Sequence, residues 1–140
     1  MKTSLIHLVP YLRFDGNCEE ALTFYSHIFN GTINIEQRYK VLGNQVSDSY
    51  HSKILHAQFE FAEARFFACD VFPDRKTQPS GTNVSLSLLL EDTEHASHVF
   101  NSLSEDGTVQ MPFEKQFWGD WHGGLKDKFG IDWNVNSLGR

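Results

Sequence analysis

Three side chains that can hold or move a proton recur at every second position of one short run: His56, Gln58 and Glu60 in ILHAQFEF. Successive side chains of an extended strand alternate faces, so these three share one face while Leu55, Ala57, Phe59 and Phe61 share the other. The same division returns downstream. Asn83, Ser85 and Ser87 oppose Val84, Leu86 and Leu88, and Asp132, Asn134 and Asn136 oppose Ile131, Trp133 and Val135. Imidazole, carboxylate, amide and hydroxyl groups arranged this way can hydrogen-bond a polar solute or exchange protons with it. Two readings of the pattern stand. The polar faces are wetted by solvent, as in many antiparallel sheets, or the sheet curls with its helices outside and these residues line a concave interior.

Other chemistry-bearing residues give weaker signals. Cys18 and Cys69 are far apart and form no CxxC pair, so neither a zinc knuckle nor a disulfide framework is indicated. Cys69, in RFFACDVF, reads as a small core residue, and Cys18 as part of a helix-start loop. His95 and His98 stand three apart on a helical pattern and read as a solvated face, and His51 lies in a long polar loop. Trp118 and Trp121 can stack on a ligand, but beside glycines they equally suit packing. No nucleophile motif and no phosphate loop is present.

The balance of 18 acidic against 12 basic residues gives a net charge of -6, with no basic cluster, which argues against a nucleic-acid partner. The opening MKTSLIHLVPYLRF is too short and too interrupted by His7, Pro10 and Arg13 for a signal peptide or a spanning helix, so no membrane partner is expected and a cytoplasmic location is the default.

The elements that must position these groups are written twice. At an offset of 76, Leu12 falls on Leu88, Phe24 on Phe100, Gly31 on Gly107, Thr32 on Thr108 and Ile33 on Val109. Each copy reads as a strand (HLVPYLRF, then TNVSLSLLLE), a helix and a GT pair. The helices carry apolar stripes, Ala21, Leu22, Tyr25, Ile28 and Phe29 in the first and Ala96, Val99, Phe100 and Leu103 in the second, with Gly31 and Gly107 as stops. Three further strands follow in each half: GTINIEQRY, KILHAQFEF and ARFFACDVF, then TVQMPF, a stretch around KQFWGDW, and GIDWNVNS. The expected fold is α+β, two βαβββ modules, 1–72 and 81–140, joined by a linker over 73–80 and forming a cupped mixed sheet with helices outside.

The stretches PYLRFDGNCEEALTFYSHIF, ILHAQFEF with FFACD, NVSLSLLLED and FWGDWHGGLKDKFGIDWNVN resemble, in that order and over almost the whole chain, the PhnB-like branch of the vicinal-oxygen-chelate superfamily, the group of glyoxalase I, bleomycin-resistance proteins and extradiol dioxygenases. The resemblance implies a cup formed by paired modules, a small-molecule ligand and a homodimer. It places FWGDWHGG as loop and strand at the cup rim, DKFG as a hairpin turn and IDWNVNS as the last strand. Glycines 119, 123 and 124 suit positive φ or close backbone approach, and Gly130 suits a tight turn.

The superfamily's metal enzymes hold one divalent ion (Zn, Ni, Mn or Fe) on four strand positions. The matching positions here fall on Asn134, on Asn83 and near Leu8 or Pro10, which are poor ligands. A substitute set is His7, His56 and Glu60, two imidazoles and a carboxylate from neighbouring strands. Without a metal, His56 or Asp70, which match the family's H…D pattern, are acid–base candidates, although a carboxylate ending a strand equally starts a turn. The pocket candidates are therefore His56, Gln58, Glu60, Asp70, Asn83, Ser85, Trp118 and Asn134. The branch also carries a ubiquinone-methyltransferase label, but no glycine-rich cofactor loop follows a strand here, so that activity is not expected. A metal-dependent lyase or dioxygenase and a metal-free sequestering protein remain the alternatives to a simple ligand-binding role.

Overall fold

A computed structural model describes residues 4–77, 81 and 83–138. The chain divides into two compact units, Met1–Thr77 and Gln78–Arg140, each with its own sheet and helix. The first unit runs β1 (Tyr11–Phe14), α1 (Cys18–Phe29), β2 (Thr32–Arg38), β3 (Ile54–Phe61) and β4 (Ala64–Asp70). The second repeats the order with β5 (Leu86–Leu90), α2 (Thr93–Ser104), β6 (Thr108–Lys115), β7 (Trp121–Lys126) and β8 (Asp132–Ser137). Strand order is β1-β4-β3-β2 in one sheet and β5-β8-β7-β6 in the other, the same permutation twice. In each the first and last strands pair in parallel and the remaining pairs are antiparallel. The fold is thus the expected α+β arrangement of two βαβββ modules. Of the linker expected over 73–80, residues 78–80, Pro79 among them, lie outside the described residues.

The helices sit where their stripes require. Ala21, Leu22 and Tyr25 are buried against Ala57, Phe59, Phe66 and Ala68, with the Tyr25 ring edge-on to Phe66 at 5.9 Å. In the second unit Ala96, Val99, Phe100 and Leu103 are buried with Leu125, Trp133 and Val135. Burying each large apolar side chain stabilises by about 1.5–3 kcal/mol, which is why each stripe must find a sheet face.

Several boundaries differ from the sequence expectation. The first strand begins at Tyr11, and His7 to Pro10 form no ladder. Proline has no N–H to donate, so Pro10 marks the strand's start, and its carbonyl accepts from Phe67 N at 2.9 Å. Asn83, Val84 and Ser85 likewise precede β5. The strand expected around KQFWGDW is instead the loop 116–120, with the ladder resuming on WHGGLK. Pro112 lies inside edge strand β6, where the register shifts between Met111 and Glu114.

The two GT glycines are not the helix stops. Asn30 (φ 54°) and Asp106 (φ 58°) take the left-handed positions after α1 and α2. Gly31 and Gly107 instead allow backbone contact: a Cβ would lie 2.7 Å from the Glu60 carbonyl at Gly31 and 2.4 Å from the Lys126 carbonyl at Gly107. The residue pairing was repeated because the close approach is repeated.

Candidate functional site

In the first unit, α1 covers one sheet face and leaves the other to Tyr11 and Arg13 from β1, Phe67 and Cys69 from β4, His56, Gln58 and Glu60 from β3, and Glu36 from β2. His56 is the hub of this face. Its Nδ1 lies 3.0 Å from the Tyr11 hydroxyl and its Nε2 lies 3.7 Å from Glu36 Oε2. The Tyr11, His56 and Phe67 rings pack mutually at centroid separations of 5.2 to 5.9 Å, and the Arg13 guanidinium lies 4.7 Å from the Tyr11 ring centre. Burial, reinforced by the neighbouring Cys69, pushes the Tyr11 hydroxyl up to about 12, so it stays a hydrogen-bond donor throughout the neutral range. A proton directed at Glu36 from Nε2 leaves Nδ1 to accept from Tyr11. Gln58 donates to Glu60 along the strand, so both expected partners of His56 share its face. An open groove of about 390 Å³ runs beside it, lined by Ile35, Glu36, Gln37, Arg38, Lys40 and Val41.

Tyr11, Glu36 and Phe67 did not figure in the sequence reading. Alternation on β1 and β4 carries the signal for Tyr11, which falls with Arg13, and for Phe67, which falls with Arg65, but HLVPYLRF and RFFACD read first as apolar-rich runs. Cys69 departs from its expected core place: it is half-buried on this polar face, its thiol pushed up by burial while Tyr11 pulls it back. Cys18, expected in a loop, is the first residue of α1 and fully buried.

Asp70 is not part of the face. It is 1% exposed, and its two oxygens accept Cys18 N and Ile54 N, each at 2.9 Å. The carboxylate therefore caps the N-terminus of α1, which has no side-chain cap of its own, and pins the start of β3. Its backbone carbonyl accepts from Tyr39 OH at 2.7 Å, and the next carbonyl, Val71 O, accepts from Tyr50 OH.

In the second unit the face opposite α2 is a hydrogen-bonded lattice. Asn134 Nδ2 donates to Ser85 Oγ at 2.6 Å and Asn136 Nδ2 donates to Ser87 Oγ at 2.9 Å. Asn134 and Ser85 are thus bonded to each other, while Asn83 is exposed in a bend before the strand. His122 joins through Nδ1, 2.6 Å from Asn136 Oδ1. Sequence reasoning passed over it because WHGG reads as a glycine-rich rim loop. Trp118 is 56% exposed at the β6–β7 loop, edge-on to Phe117. The expected DKFG turn and last strand are present: Asp127 Oδ1 accepts from Phe129 N and Ile131 N, Oδ2 accepts from Trp133 Nε1 at 2.9 Å, and Gly130 has φ 90°. Gly123 supplies close approach rather than positive φ, since a Cβ would meet the Phe100 ring at 2.7 Å.

The residues present do not fit a divalent metal of the kind the superfamily's enzymes hold. Among the described residues no three His, Cys, Asp or Glu side chains converge on one point. His7, outside β1, does not join His56 and Glu60, and both His56 nitrogens face other partners.

A duplicated β-α-β-β-β order with mixed sheets defines a class, the vicinal-oxygen-chelate superfamily. Structures described as glyoxalase/bleomycin resistance protein/dioxygenase share the fold at 10% and 12% identity, with TM-scores of 0.61 and 0.66. Within that class the chain belongs to the family described as 3-demethylubiquinone-9 3-methyltransferase, whose model matches residues 6–136. It is similar to PA1353 of Pseudomonas aeruginosa, at 31% identity over 96% of this chain and 98% of that one, with a TM-score of 0.83. The PhnB protein from Bacillus cereus is 28% identical over 94% of this chain and 98% of its own, with a TM-score of 0.76. Protein YjdN of Escherichia coli K12 is 28% identical, covering 92% of this chain and 93% of YjdN.

Proposed function

We propose that this chain binds a small polar molecule on the helix-free face of its N-terminal sheet, with His56 and Tyr11 as the recognition groups, and that it acts without a resident metal ion. The observation that carries the reading is the Glu36–His56–Tyr11 arrangement: polar groups held in fixed orientation beside aromatic rings, on the sheet face opposite α1. Rings supply apolar contact area, and the acceptor lone pairs left on the Tyr11 oxygen and the Glu36 carboxylate supply direction. Arg13 and Arg65 share this face with Glu36 and Glu60, Arg65 directly opposite Glu60, so a neutral or zwitterionic ligand suits it better than a highly charged one. The methyltransferase in the family's description is not carried over, since no glycine-rich loop follows a strand to hold a methyl donor. A homodimer belongs to the same proposal. Leu5, Ile6 and Leu8, at 86%, 91% and 96% exposure, support it by leaving apolar surface for a second copy to cover.

The test is native mass spectrometry of untagged protein for a co-purifying small molecule, with metal analysis of the same sample. A bound organic molecule released by His56→Leu, with no stoichiometric metal, supports the reading. Stoichiometric Zn, Ni, Mn or Fe lost on the same substitution replaces it with a metal-dependent lyase or dioxygenase.

A further inference from the structure

The two sheets can be superposed residue by residue from their registers. Leu12 pairs with Ala68 as Leu88 pairs with Val135, and Ala57 pairs with Ala68 as Gly123 pairs with Val135. One step along, His56 of β3 corresponds to His122 of β7, Cys69 to Asn136 and Tyr11 to Ser87. The histidine is duplicated, on the helix-free face of each unit, although the sequence offset that reveals the repeat does not align the two.

Their hydrogen bonding differs, and the difference fixes the proton of His122. Asn136 Nδ2 lies 3.1 Å from the Leu88 carbonyl oxygen, which only accepts, so this side of the amide is the NH₂ and the atom facing His122 is the carbonyl oxygen. An amide oxygen has no proton to give, so His122 Nδ1 must carry one and donate across the 2.6 Å contact. In the neutral imidazole the lone pair is then on Nε2, for which no hydrogen-bond partner occurs among the described residues. The Ser87–Asn136–His122 chain therefore does for this ring what an oriented outer partner does for a ligating histidine: it sets the tautomer and the ring's direction.

We propose that His122 is the centre of a second ligand subsite, in the C-terminal unit, whose Nε2 accepts a hydrogen bond from a hydroxyl or other neutral donor group of a small molecule. Asn136 and Ser87 are its positioning residues. Gly124, directly opposite Asn134, contributes no side chain beside the ring, and the Asn134 amide oxygen lies over it, 3.1 Å from where a Cβ would stand. The subsite does not depend on the N-terminal site, because its hydrogen bonds all come from β5, β7 and β8.

The test uses the full-length ¹⁵N-labelled protein near neutral pH, with long-range imidazole correlations to read each histidine's tautomer. Phenol and anisole, matched rings with and without a donor, serve as probes. His122 is expected as the Nδ1–H tautomer and His56 as the opposite one. Phenol should move the His122 Nε2 resonance several-fold more than anisole at equal concentration. Asn136→Leu should return the ring to the Nε2–H form and abolish the phenol response; if that variant does not fold, Ser87→Ala, which removes only the outer link, should weaken the response. A wild-type His122 carrying its proton on Nε2, an equal response to both probes, or no response to phenol overturns the assignment.

Discussion

At Asp70 a carboxylate at the end of an apolar strand invites an acid–base role, yet both oxygens are taken by backbone N–H groups of α1 and β3. Removing it leaves two buried donors unpaired, each costing about 1–3 kcal/mol. Asp70→Ala is therefore expected to lower stability by about 2–4 kcal/mol in urea unfolding. Tyr11 and Tyr50 are both pushed up to about 12, in each case first by burial, against an ordinary value near ~10. A raised value means the fold favours the neutral phenol, so the stabilisation is complete below pH ~10 and is lost as pH climbs toward the folded value. The urea midpoint of the wild type should fall over that interval, and that of the Tyr11→Phe/Tyr50→Phe double variant should fall less. Alternation made the shared face of His56, Gln58 and Glu60 legible from sequence. It could not show that backbone N–H groups would take up the Asp70 carboxylate, because that depends on where a helix N-terminus arrives in space, and Tyr11 escapes notice because HLVPYLRF reads as one apolar-rich run.

At the scale of elements, the helix stripes and the last strand were legible because 3.6-residue and two-residue periods leave direct marks. Strand starts were not, because a proline or an unpaired edge decides them. The GT pair shows a subtler gap: glycine after a helix suggests a left-handed cap, but Asn30 and Asp106 take that conformation and the glycines clear a neighbouring carbonyl. The two roles separate experimentally. Gly31→Ala and Gly107→Ala should each destabilise by about 1–3 kcal/mol through the forced backbone shift, whereas Asn30→Gly should be close to neutral because glycine tolerates the same φ. Thermal unfolding of the three variants reads the contrast. The helix starts also differ. α2 is capped by its own Asp92, which accepts from Glu94 N at 3.2 Å, while α1 relies on Asp70 from β4. Asp92→Ala should cost about 1 kcal/mol, less than Asp70→Ala.

For the whole molecule, the offset of 76 anticipated a duplicated fold, and the matching strand permutations of the two sheets are that duplication in three dimensions. The repeat preserved the apolar packing of both halves while their polar faces diverged, one toward Tyr11 and Glu36, the other toward an asparagine–serine lattice. Hence the fold could be read from sequence and the chemistry of the faces could not. Since the described residues assemble no three-ligand metal group, exhaustive dialysis against a chelator should leave the unfolding temperature unchanged. The most direct test of the account is amide and side-chain NMR mapping of the bound molecule that native mass spectrometry identifies, added back to stripped protein. The account predicts perturbations concentrated at Tyr11, Glu36, His56, Gln58 and Phe67, and at least tenfold weaker binding in Tyr11→Phe. Perturbations confined to the helices, with Tyr11→Phe and His56→Leu binding as tightly as the wild type, would contradict it.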